Sequence, residues 1–423
     1  MKKKVVILGA GLTGMTAAWM LSSSGFEVEV IEKCSKTGGL AKSFEHNSFI
    51  FDYGPHALHT DDENVFKIIK DLIGNDLVCI GKKKIKIFFE NKGFRDSLRD
   101  PLVLLKLNPF LFFNCVKDYL FSNLALKISK KKAKSFEDWL VQRFGKSFYN
   151  IFFGPYTEKV WGIDPKKLDA SFAYERIPTL NFLEILKSRM HKKVASEDKI
   201  DSSAFNPKMM YYPVHGIDQL TNKMRELIEK KGNKIHLNSR IRKIILRDNK
   251  IKEVVYEKNK KEIKVEADYF ISTIPITALA SSIQGIDNNV LDNSKRLLYR
   301  DVLFVFVVLN RDKVLDEHWV YYNDKDIVFY RLNENINFSR KLMPNGKTGL
   351  ILEISEENFK MPKEKLYEKV LSDLKRCNII KNRDEVEDIF INRLESAYPV
   401  YLTDYKDNLN NVLKYISSIQ NLV

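Results

Sequence analysis

The sequence predicts an α/β protein of two or three domains, in which a nucleotide-binding domain is assembled from two separate stretches of chain. A glycine-rich turn lies between an apolar strand and an amphipathic helix near the amino terminus. A period-two pattern typical of strands recurs at residues 232–273, and further strand patterns follow at residues 295–355. The 423 residues exceed what one simple core holds.

The first forty residues carry the most informative motif. The apolar run Val5–Leu8 predicts a buried parallel strand, and Gly9, Gly11 and Gly14 follow it in GxGxxG spacing before a helix. The first glycine makes the tight turn, the second lets backbone approach a pyrophosphate, and the third lets the helix pack on the strand. The next strand ends at Glu32, an acid placed to hydrogen-bond ribose hydroxyls. This pattern predicts a Rossmann-like dinucleotide-binding domain.

Composition and charge limit the remaining classes. Hydrophobic residues at 44% and charged residues at 30% are typical of a soluble globular protein. The net charge of +15 comes mainly from lysine, in runs such as "GKKKIK" (81–86) and "SKKKAK" (129–134), which predict a solvated face. An anionic partner is the alternative, although no nucleic-acid-binding motif accompanies the charge.

Cysteine spacing and hydropathy favour a cytoplasmic protein. The start "MKKKVVILGAG" lacks the pattern of a signal peptide, and no stretch reaches the roughly 18 apolar residues of a membrane span. Cys34, Cys79, Cys115 and Cys377 are scattered and predict neither a metal site nor a disulfide framework. The most apolar segment, residues 101–121, is interrupted by polar residues and predicts a core-facing helix rather than an interfacial membrane helix.

Several segments resemble UDP-galactopyranose mutases. "YGPHALHTDDENVF" (53–66), "GPYTEKVWGIDPKKLDASFAYERIP" (154–178) and "FYRLNENINFS" (329–339) are similar to three segments of that family. "YYPVHGIDQLTNKMRELIEKKG" (211–232) resembles a segment that these mutases share with protoporphyrinogen oxidase-like proteins. "VEADYFISTIPITALA" (265–280) resembles the strand return of the wider amine oxidase superfamily. The match covers most of the chain in patches.

The resemblance implies FAD as the cofactor, since a second glycine pair follows Glu32 as in FAD-dependent enzymes. The residues that it assigns to FAD are Gly9, Gly11, Thr13, Gly14, Glu32, Lys33, Gly38, Gly39, Leu40, Ala41, Gly54, Pro55, His56, Ile241 and Thr273. It also places the turn at residues 53–59 along the isoalloxazine ring, with His56 and His59 beside it. Turn histidines bonded to backbone are the alternative, and a zinc site is not expected because the HxxH pair has no third ligand at suitable spacing.

The same resemblance implies a nucleotide-sugar mutase that interconverts pyranose and furanose forms, with reduced flavin as nucleophile, in surface polysaccharide biosynthesis. Arg176, Arg331, His56 and His59 are the predicted catalytic residues, and the arginines would meet the charge of the departing diphosphate. Tyr156, Trp161, Tyr330 and Tyr398 are the predicted substrate contacts. Structural ion pairs for the arginines, and core packing for Tyr156 and Trp161, are the alternatives.

Two other functions stay open on the same scaffold. The first is an oxidoreductase of the protoporphyrinogen oxidase or amine oxidase type, which abstracts hydride from a small organic substrate in an aromatic cavity. The second is a non-catalytic FAD-binding protein. The expected partner is a small-molecule substrate, with no nucleic acid and with peripheral membrane contact at most. A homodimer is expected because symmetric pairs are the commonest assembly.

The predicted domains follow from these patterns. The FAD-binding domain comprises residues 1–80 and 195–275, a mainly helical insertion domain comprises residues 81–194, and an antiparallel sheet domain for substrate with C-terminal helices comprises residues 276–423. Flavoproteins of this kind carry a late Gly-Arg segment that closes over the cofactor. Residues 397–423 end where that segment is expected, so both retention and loss of FAD by this chain stay open at this point.

Overall fold

The computed structural model describes residues 2–90, 92–95, 108–129, 132–176 and 205–423. The chain forms two compact units. The first unit comprises Met1–Val78, Tyr211–Leu298 and Tyr405–Val423, and the second comprises Cys79–Met210 and Tyr299–Asp404. Each unit is therefore assembled from separate stretches of the sequence.

The strands of the described residues are numbered in chain order. They are β1 (Lys4–Leu8), β2 (Glu27–Ile31), β3 (Ser43–His46), β4 (Phe49–Asp52), β5 (Leu77–Lys82), β6 (Ile85–Phe89), β7 (Lys92–Arg95), β8 (Met209–Pro213), β9 (Lys234–His236), β10 (Ser239–Arg247), β11 (Lys250–Lys258), β12 (Lys261–Val265), β13 (Tyr269–Ser272), β14 (Leu298–Leu309), β15 (Trp319–Tyr322), β16 (Phe329–Glu334), β17 (Thr348–Ile354) and β18 (Val386–Val400).

The α-helices are numbered in the same way. They are α1 (Leu12–Ser23), α2 (Glu63–Ile73), α3 (Pro109–Ser129), α4 (Phe136–Phe144), α5 (Lys146–Phe148), α6 (Gly154–Trp161), α7 (Ser171–Arg176), α8 (Gln219–Lys230), α9 (Ile276–Ser282), α10 (Asn288–Lys295), α11 (Lys363–Arg376) and α12 (Tyr405–Ile416). A π-helical segment, Tyr149–Phe153, joins α5 to α6.

A parallel sheet forms the centre of the first unit. Its order is β13-β1-β2-β9, and all its neighbours run parallel. Residues 5–8 of β1 are buried, because β1 has a neighbouring strand on each side and is covered on both faces. The strand–helix–strand unit predicted from the glycine motif is β1-α1-β2.

Different layers cover the two faces of this sheet. On one side α1 meets α8, where the Thr16 hydroxyl lies 3.8 Å from the sulfur of Met224. On the other side Val6 and Leu8 share a core with Ile244 and Val254 of an antiparallel sheet, β10-β11-β12. The period-two pattern at residues 232–273 thus predicted these strands correctly, because each half-buried strand alternates apolar and polar side chains.

A seven-stranded sheet forms the centre of the second unit, in the order β18-β14-β17-β16-β15-β6-β7. One of its faces packs on α11 through a core that includes Val305, Leu332, Leu352 and Val370. The predicted antiparallel arrangement is confirmed for β14 to β17, and β6 joins this sheet by pairing with β15 in parallel. The strand β6 comes from the segment predicted to be helical, and its pairing with β15 spans more than two hundred residues of chain.

The helices α4 to α7 form a second core of this unit. Ser135 and Asp138 begin α4 as a reciprocal capping box. The helix α4 ends before Gly145, which has φ of +82°. A Cβ there would lie 2.8 Å from the backbone of Asp118, so the close approach of α3 requires glycine.

The observed units differ from the three predicted domains in two places. The helical segment and most of the C-terminal sheet belong to one unit, because β6 and β7 pair into that sheet. The helices α9, α10 and α12 belong to the first unit, where Val290 and Val412 share a core. The sequence pattern marks each element but does not show which distant element it packs against.

The apolar segment at residues 101–121 is described from residue 108 onward, so the prediction for residues 101–107 lies outside the described residues. A core-facing helix is correct for one face of α3 and wrong for the other, on which Phe113 and Phe121 are exposed. Among the described residues, no helix has both the length and the apolar character that a membrane crossing requires.

We expect Leu352→Ala to destabilise the protein by about 2–5 kcal/mol, since the fully buried side chain lies in the core between β17 and α11. Urea unfolding at constant m-value measures the change. Leu413→Ala is the matched control, because Leu413 is 42% exposed and its loss is expected to cost less than about 0.5 kcal/mol. Equal effects of the two changes would contradict the assigned core.

Candidate functional site

The turn after β1 is shaped to accept an anion. Gly9 has φ of +103°, and its N–H donates to the carbonyl of Ile31 at 2.9 Å, which ties the turn to β2. The helix α1 begins after Gly11, and no side chain caps its first N–H groups. Uncapped N–H groups and the helix macrodipole together favour a phosphate at this end.

The glycines of the turn have different structural roles. A Cβ on Gly14 would lie 2.0 Å from the Gly9 carbonyl oxygen, and a Cβ on Gly39 would lie 2.9 Å from the Gly11 Cα. These two glycines allow backbone segments to pack against each other. A Cβ on Gly11, by contrast, would meet nothing closer than 3.8 Å, so protein packing alone does not require glycine there. Open space beside bare backbone fits a bound pyrophosphate, as the motif predicts.

The second glycine pair closes on the first. Gly38 forms a parallel bridge with Gly11, and its N–H donates to the Ala10 carbonyl at 2.8 Å. Gly38 and Gly39 have φ of +108° and +60°, values that favour glycine. The two glycine segments therefore lie side by side, and the residues present fit the phosphates of a dinucleotide.

Glu32 is held in place by backbone. Its Oε2 accepts a hydrogen bond from the Ala10 N–H and its Oε1 accepts one from the Cys34 N–H, both at 2.8 Å. Only 8% of Glu32 is exposed. Each carboxylate oxygen has a second lone pair, so the fixed carboxylate keeps the acceptor capacity that a ribose contact needs.

The other predicted cofactor residues vary in their surroundings. The Thr273 hydroxyl donates to the Leu8 carbonyl at 3.0 Å, which shows a role in holding the turn. Ile241 lies on β10 at the margin of the core, and Ala41 closes a turn onto the Gly38 carbonyl. Thr13, Lys33 and Leu40 are exposed. Contacts of these residues with FAD stay predictions.

The turn with the two histidines is anchored at both ends. Gly54 has φ of +96°, and Leu58 exchanges two backbone hydrogen bonds with Tyr211, at 2.8 and 2.9 Å. Asp62 then begins α2 by accepting hydrogen bonds from two N–H groups. Pro55 and His56 are both half-buried between these anchors, whereas His59 is exposed. Of the described residues, no three His, Cys, Asp or Glu side chains group as metal ligands.

Asp52, at the start of this turn, is a buried carboxyl that the sequence did not single out. It accepts hydrogen bonds from the Ser43 hydroxyl at 2.6 Å, the Tyr212 hydroxyl at 2.7 Å and the Ile217 N–H at 3.4 Å. Burial raises the pKa of Asp52 from 3.8 to about 7, against the lowering effect of the Ser43 and Tyr212 hydrogen bonds. The carboxyl joins the β3-β4 hairpin to the segment that enters α8.

A β-bulge in β16 organises the predicted substrate residues of the second unit. Phe329 pairs with Ile354, and Arg331 pairs with Glu353, so Tyr330 is the extra residue. Phe329 and Leu332 belong to the core beneath the sheet. The bulge therefore turns the two consecutive side chains between them toward the opposite face.

On this face Arg331 is fixed by an acid. Its Nε and Nη2 donate to the two carboxylate oxygens of Glu353 at 2.6 and 2.8 Å, and Nη2 also donates to the Tyr398 hydroxyl at 3.2 Å. Nη1 takes part in none of these three bonds. Desolvation alone lowers the pKa of Arg331, but Glu353 and Tyr398 raise it, and the pKa lies well above its usual value. The guanidinium is permanently charged and rigidly oriented.

Tyrosine and tryptophan rings surround the pair. Tyr156 meets Tyr321 edge-on with centroids 5.7 Å apart, and Trp161 meets Tyr398 at 5.8 Å. Burial raises the pKa of Tyr156 and of Tyr330 well above the usual value, with Tyr321 adding to the first and Glu353 to the second. Both hydroxyls therefore stay protonated and can donate hydrogen bonds.

Trp161 has a structural role as well. It is 5% exposed and meets Phe172 edge-on, with centroids 4.8 Å apart, in the core of α4 to α7. The core-packing alternative is therefore correct for part of this side chain. Arg176 ends α7, and its side chain lies outside the described residues, so its catalytic role stays a prediction.

Lys159, in the same helix as Tyr156 and Trp161, fixes that helix to the sheet. Its Nζ donates to the carbonyls of Tyr322 and Asp324, at 3.0 and 2.8 Å. Burial lowers the pKa of Lys159 from 10.5 to about 7, although Asp324 raises it in part. The lysine of the "YTEKVWG" segment thus positions its aromatic neighbours.

The chain matches the family of flavin-containing amine oxidoreductases over residues 12–405, and it belongs to that family. This membership confirms the predicted FAD cofactor and the predicted relationship to flavin-dependent enzymes. The glycine turn, the fixed Glu32 and the second glycine pair are the features of this chain that suit a flavin dinucleotide.

Within the family the chain is similar to sugar mutases. It is 29% identical over 181 residues to a probable UDP-galactopyranose mutase of Klebsiella pneumoniae, covering 42% of this chain and 45% of that protein. It is 28% identical over 185 residues to a dTDP-fucopyranose mutase of Escherichia coli, covering 41% and 46%. The chain spans about half the length of these curated relatives in the matched region.

The fold is shared with a solved mutase. The crystal structure of reduced UDP-galactopyranose mutase superposes with a TM-score of 0.84 at 19% identity, covering 100% of this chain and 88% of that one. This likeness confirms the predicted α/β architecture. The roles of individual residues rest on the contacts described above.

We expect Gly14→Ala and Gly11→Ala to have different effects. In Gly14→Ala the Cβ collides with the Gly9 carbonyl, so folding of the apoprotein is expected to weaken by about 3 kcal/mol or more. In Gly11→Ala the apoprotein keeps its melting temperature, and retention of FAD falls because the methyl group occupies the pyrophosphate space. Thermal melts of apoprotein and the flavin absorbance of purified protein measure the two effects. Full FAD retention by Gly11→Ala would contradict the assigned site.

Asp52 gives the protein a characteristic pH dependence. A carboxyl whose pKa rises on folding binds its proton more tightly in the folded state, so its contribution to stability falls as the pH rises from about 4 to about 7. Compared with Asp52→Asn, the native protein should lose up to about 4 kcal/mol of unfolding free energy across this window. Denaturant unfolding at several pH values measures the difference. Asp248→Asn is the control, because Asp248 is 92% exposed and its curve should parallel that of the native protein.

Proposed function

We propose that the chain is a FAD-dependent nucleotide-sugar mutase, which interconverts pyranose and furanose forms of a sugar on a nucleoside diphosphate in surface polysaccharide biosynthesis. The bulge that presents Tyr330 and Arg331 side by side, among aromatic rings, carries this proposal. A nucleoside diphosphate sugar needs a fixed cation for its phosphates and ring faces for its base and sugar. The similarity to UDP-galactopyranose and dTDP-fucopyranose mutases supports the same substrate class.

Bound FAD, when reduced, supplies the nucleophile for such a reaction. The residues of this chain bind and orient the partners. The turn at Gly9–Gly14 holds the pyrophosphate of the cofactor, and Glu32 accepts hydrogen bonds from its ribose. In this proposal the turn at residues 53–59, which includes Pro55 and His56, lies along the ring system of the cofactor.

Arg331 meets the negative charge that develops on the departing diphosphate. Glu353 holds Nε and Nη2, which leaves Nη1 to donate to a phosphate oxygen. The Tyr156, Tyr330 and Tyr398 hydroxyls are additional donors. Burial raises the pKa of Tyr156 and of Tyr330, so these two hydroxyls keep their protons at neutral pH. Arg176 is the second proposed phosphate ligand.

One observation favours a second candidate, hydride abstraction from a small organic substrate. Glu353 is completely buried and balances the charge of Arg331, so the pair presents little net charge to a ligand. A neutral, aromatic surface binds apolar amines or ring systems, the substrates of an oxidase, better than it binds a dianionic diphosphate. The family match itself is to amine oxidoreductases.

Location and assembly belong to the same proposal. Cys34, Cys79, Cys115 and Cys377 are all free, which suits a reducing compartment, and we assign the protein to the cytoplasm. A homodimer is the proposed assembly.

The decisive experiment tests for isomerisation. The protein, loaded with FAD and kept without oxygen, is incubated with UDP-, GDP- and dTDP-sugars in the presence and absence of dithionite. We expect one sugar to give a product of unchanged mass and altered chromatographic retention, seen only with reduced flavin. If no sugar isomerises while an amine or polycyclic compound bleaches the oxidised flavin, the oxidase is correct.

We expect Arg331→Lys to weaken binding of UDP or dTDP by about 1.5–3 kcal/mol, because lysine cannot keep two bonds to Glu353 and also reach the phosphate. Isothermal calorimetry measures this change. The substitution keeps a cation beside the buried Glu353, which limits the loss of folding stability. Arg225→Lys, at an exposed ion pair with Glu229, is the control and should bind normally. Normal binding by Arg331→Lys would remove the phosphate assignment.

A further inference from the structure

The helix α3 is apolar on both of its faces. One face packs inward, where Cys115 is 5% exposed and Phe112 contacts the core around Phe152. On that side Asp118 accepts hydrogen bonds from the N–H and hydroxyl of Ser147, at 3.0 and 2.6 Å. A helix that is apolar all round is normally covered all round.

The opposite face of α3 is not covered by the described protein. Its large apolar side chains are Phe110 (75% exposed), Phe113 (65%), Leu120 (62%), Phe121 (66%), Leu124 (57%) and Ile128 (76%), which we call the α3 stripe. At 3.6 residues per turn, these six positions fall along one side of the helix. Singly exposed apolar residues are ordinary on protein surfaces, but a continuous stripe of this kind marks a binding surface.

The charges on this face are all positive. Of the α3 side chains that the structure describes, those classed as exposed are Pro109, Phe110, Phe113, Lys117, Leu120, Phe121, Leu124, Ala125 and Ile128. Lys117 lies within the stripe, and Lys132 and Lys134 are exposed just beyond the helix. Asp118 lies on the inward side and is bonded to Ser147. The stripe therefore combines apolar side chains with lysines and contains no described acid.

Such a surface matches one kind of partner better than others. A second copy would have to pair the stripe with itself, because two-fold contacts bring the same patch together, and no acid would balance Lys117. An anionic lipid surface offers acyl chains for the rings and phosphates for the lysines. A helix whose inner face packs on its own protein, as α3 does at Phe112, Cys115 and Asp118, lies along a membrane surface rather than crossing it.

We propose that α3 binds the protein to the surface of an anionic lipid bilayer. The helix lies in the plane of the interface, with the α3 stripe among the acyl chains and Lys117, Lys132 and Lys134 at the headgroup phosphates. This binding is independent of the reaction catalysed, so it holds for a mutase and for an oxidase alike.

Co-sedimentation with vesicles tests the proposal. FAD-loaded protein is mixed with vesicles of phosphatidylcholine alone, or of phosphatidylcholine and phosphatidylglycerol in equal amounts. We expect binding to the anionic vesicles that weakens as salt is raised. The double variant Phe113→Ser/Leu124→Ser should bind at least about tenfold more weakly. Lys117→Gln should bind about fivefold more weakly to the anionic vesicles.

The control variant removes exposed apolar side chains elsewhere. Ile68→Ser/Leu413→Ser changes residues that are 44% and 42% exposed on α2 and α12, and it should bind vesicles as the native protein does. Flavin absorbance and melting temperature establish that each variant is folded.

Three results would overturn the proposal. Equal binding by native protein and the α3 double variant would show that the stripe is not the contact. Equal binding to neutral and anionic vesicles would remove the role of the lysines. A native dimer that becomes monomeric in Phe113→Ser/Leu124→Ser, without vesicle binding, would show that a second copy covers the stripe.

Discussion

The packing of α1 on the turn after β1 is the constraint on which the first unit depends. Gly14 brings the helix so close to Gly9 that a single methyl group would overlap the carbonyl oxygen. Thr273, which directly follows β13, closes the same turn and ties the amino terminus to a strand about 260 residues later in the sequence. The direction of α1, and therefore of its uncapped N–H groups, is set by this contact. The parallel sheet and the anion site are consequences of one close approach.

The second unit depends on a different device. Its sheet has an apolar face on α11 and a polar, aromatic face that carries Arg331 and Glu353. Regular alternation would give only every second residue of β16 to the polar face. The bulge places two neighbouring residues on that face, and the bonds from Lys159 to the carbonyls of Tyr322 and Asp324 hold α6 at the end of β15. Charge, ring faces and hydroxyl groups are thereby concentrated on a short length of strand.

Much of this could be predicted from local sequence patterns. The GxGxxG spacing predicted the β1-α1-β2 unit, because the contacts within this unit join residues that are close in the chain. The period-two segments predicted β10 to β12 for the same reason. The pairing of β15 with β6 could not be predicted, since periodicity identifies a strand but not a distant partner. Asp52 and Glu353 were missed because acids are expected at the surface, and their burial depends on donors brought together by the fold. The two sides of α3 were not distinguished, because apolar residues in sequence look alike whether they are buried or exposed.

The bulge also determines where β16 tolerates a change of length. Removing Tyr330 would leave Phe329 opposite Ile354 and Arg331 opposite Glu353 in uninterrupted pairing, so every other side chain of the strand would keep its face. Removing a residue outside the bulge, such as Leu332, would instead exchange the two faces from that point onward. Related chains can therefore differ by one residue here and still share the arginine–glutamate pair. Their alignment is correct only if the gap is placed at the tyrosine.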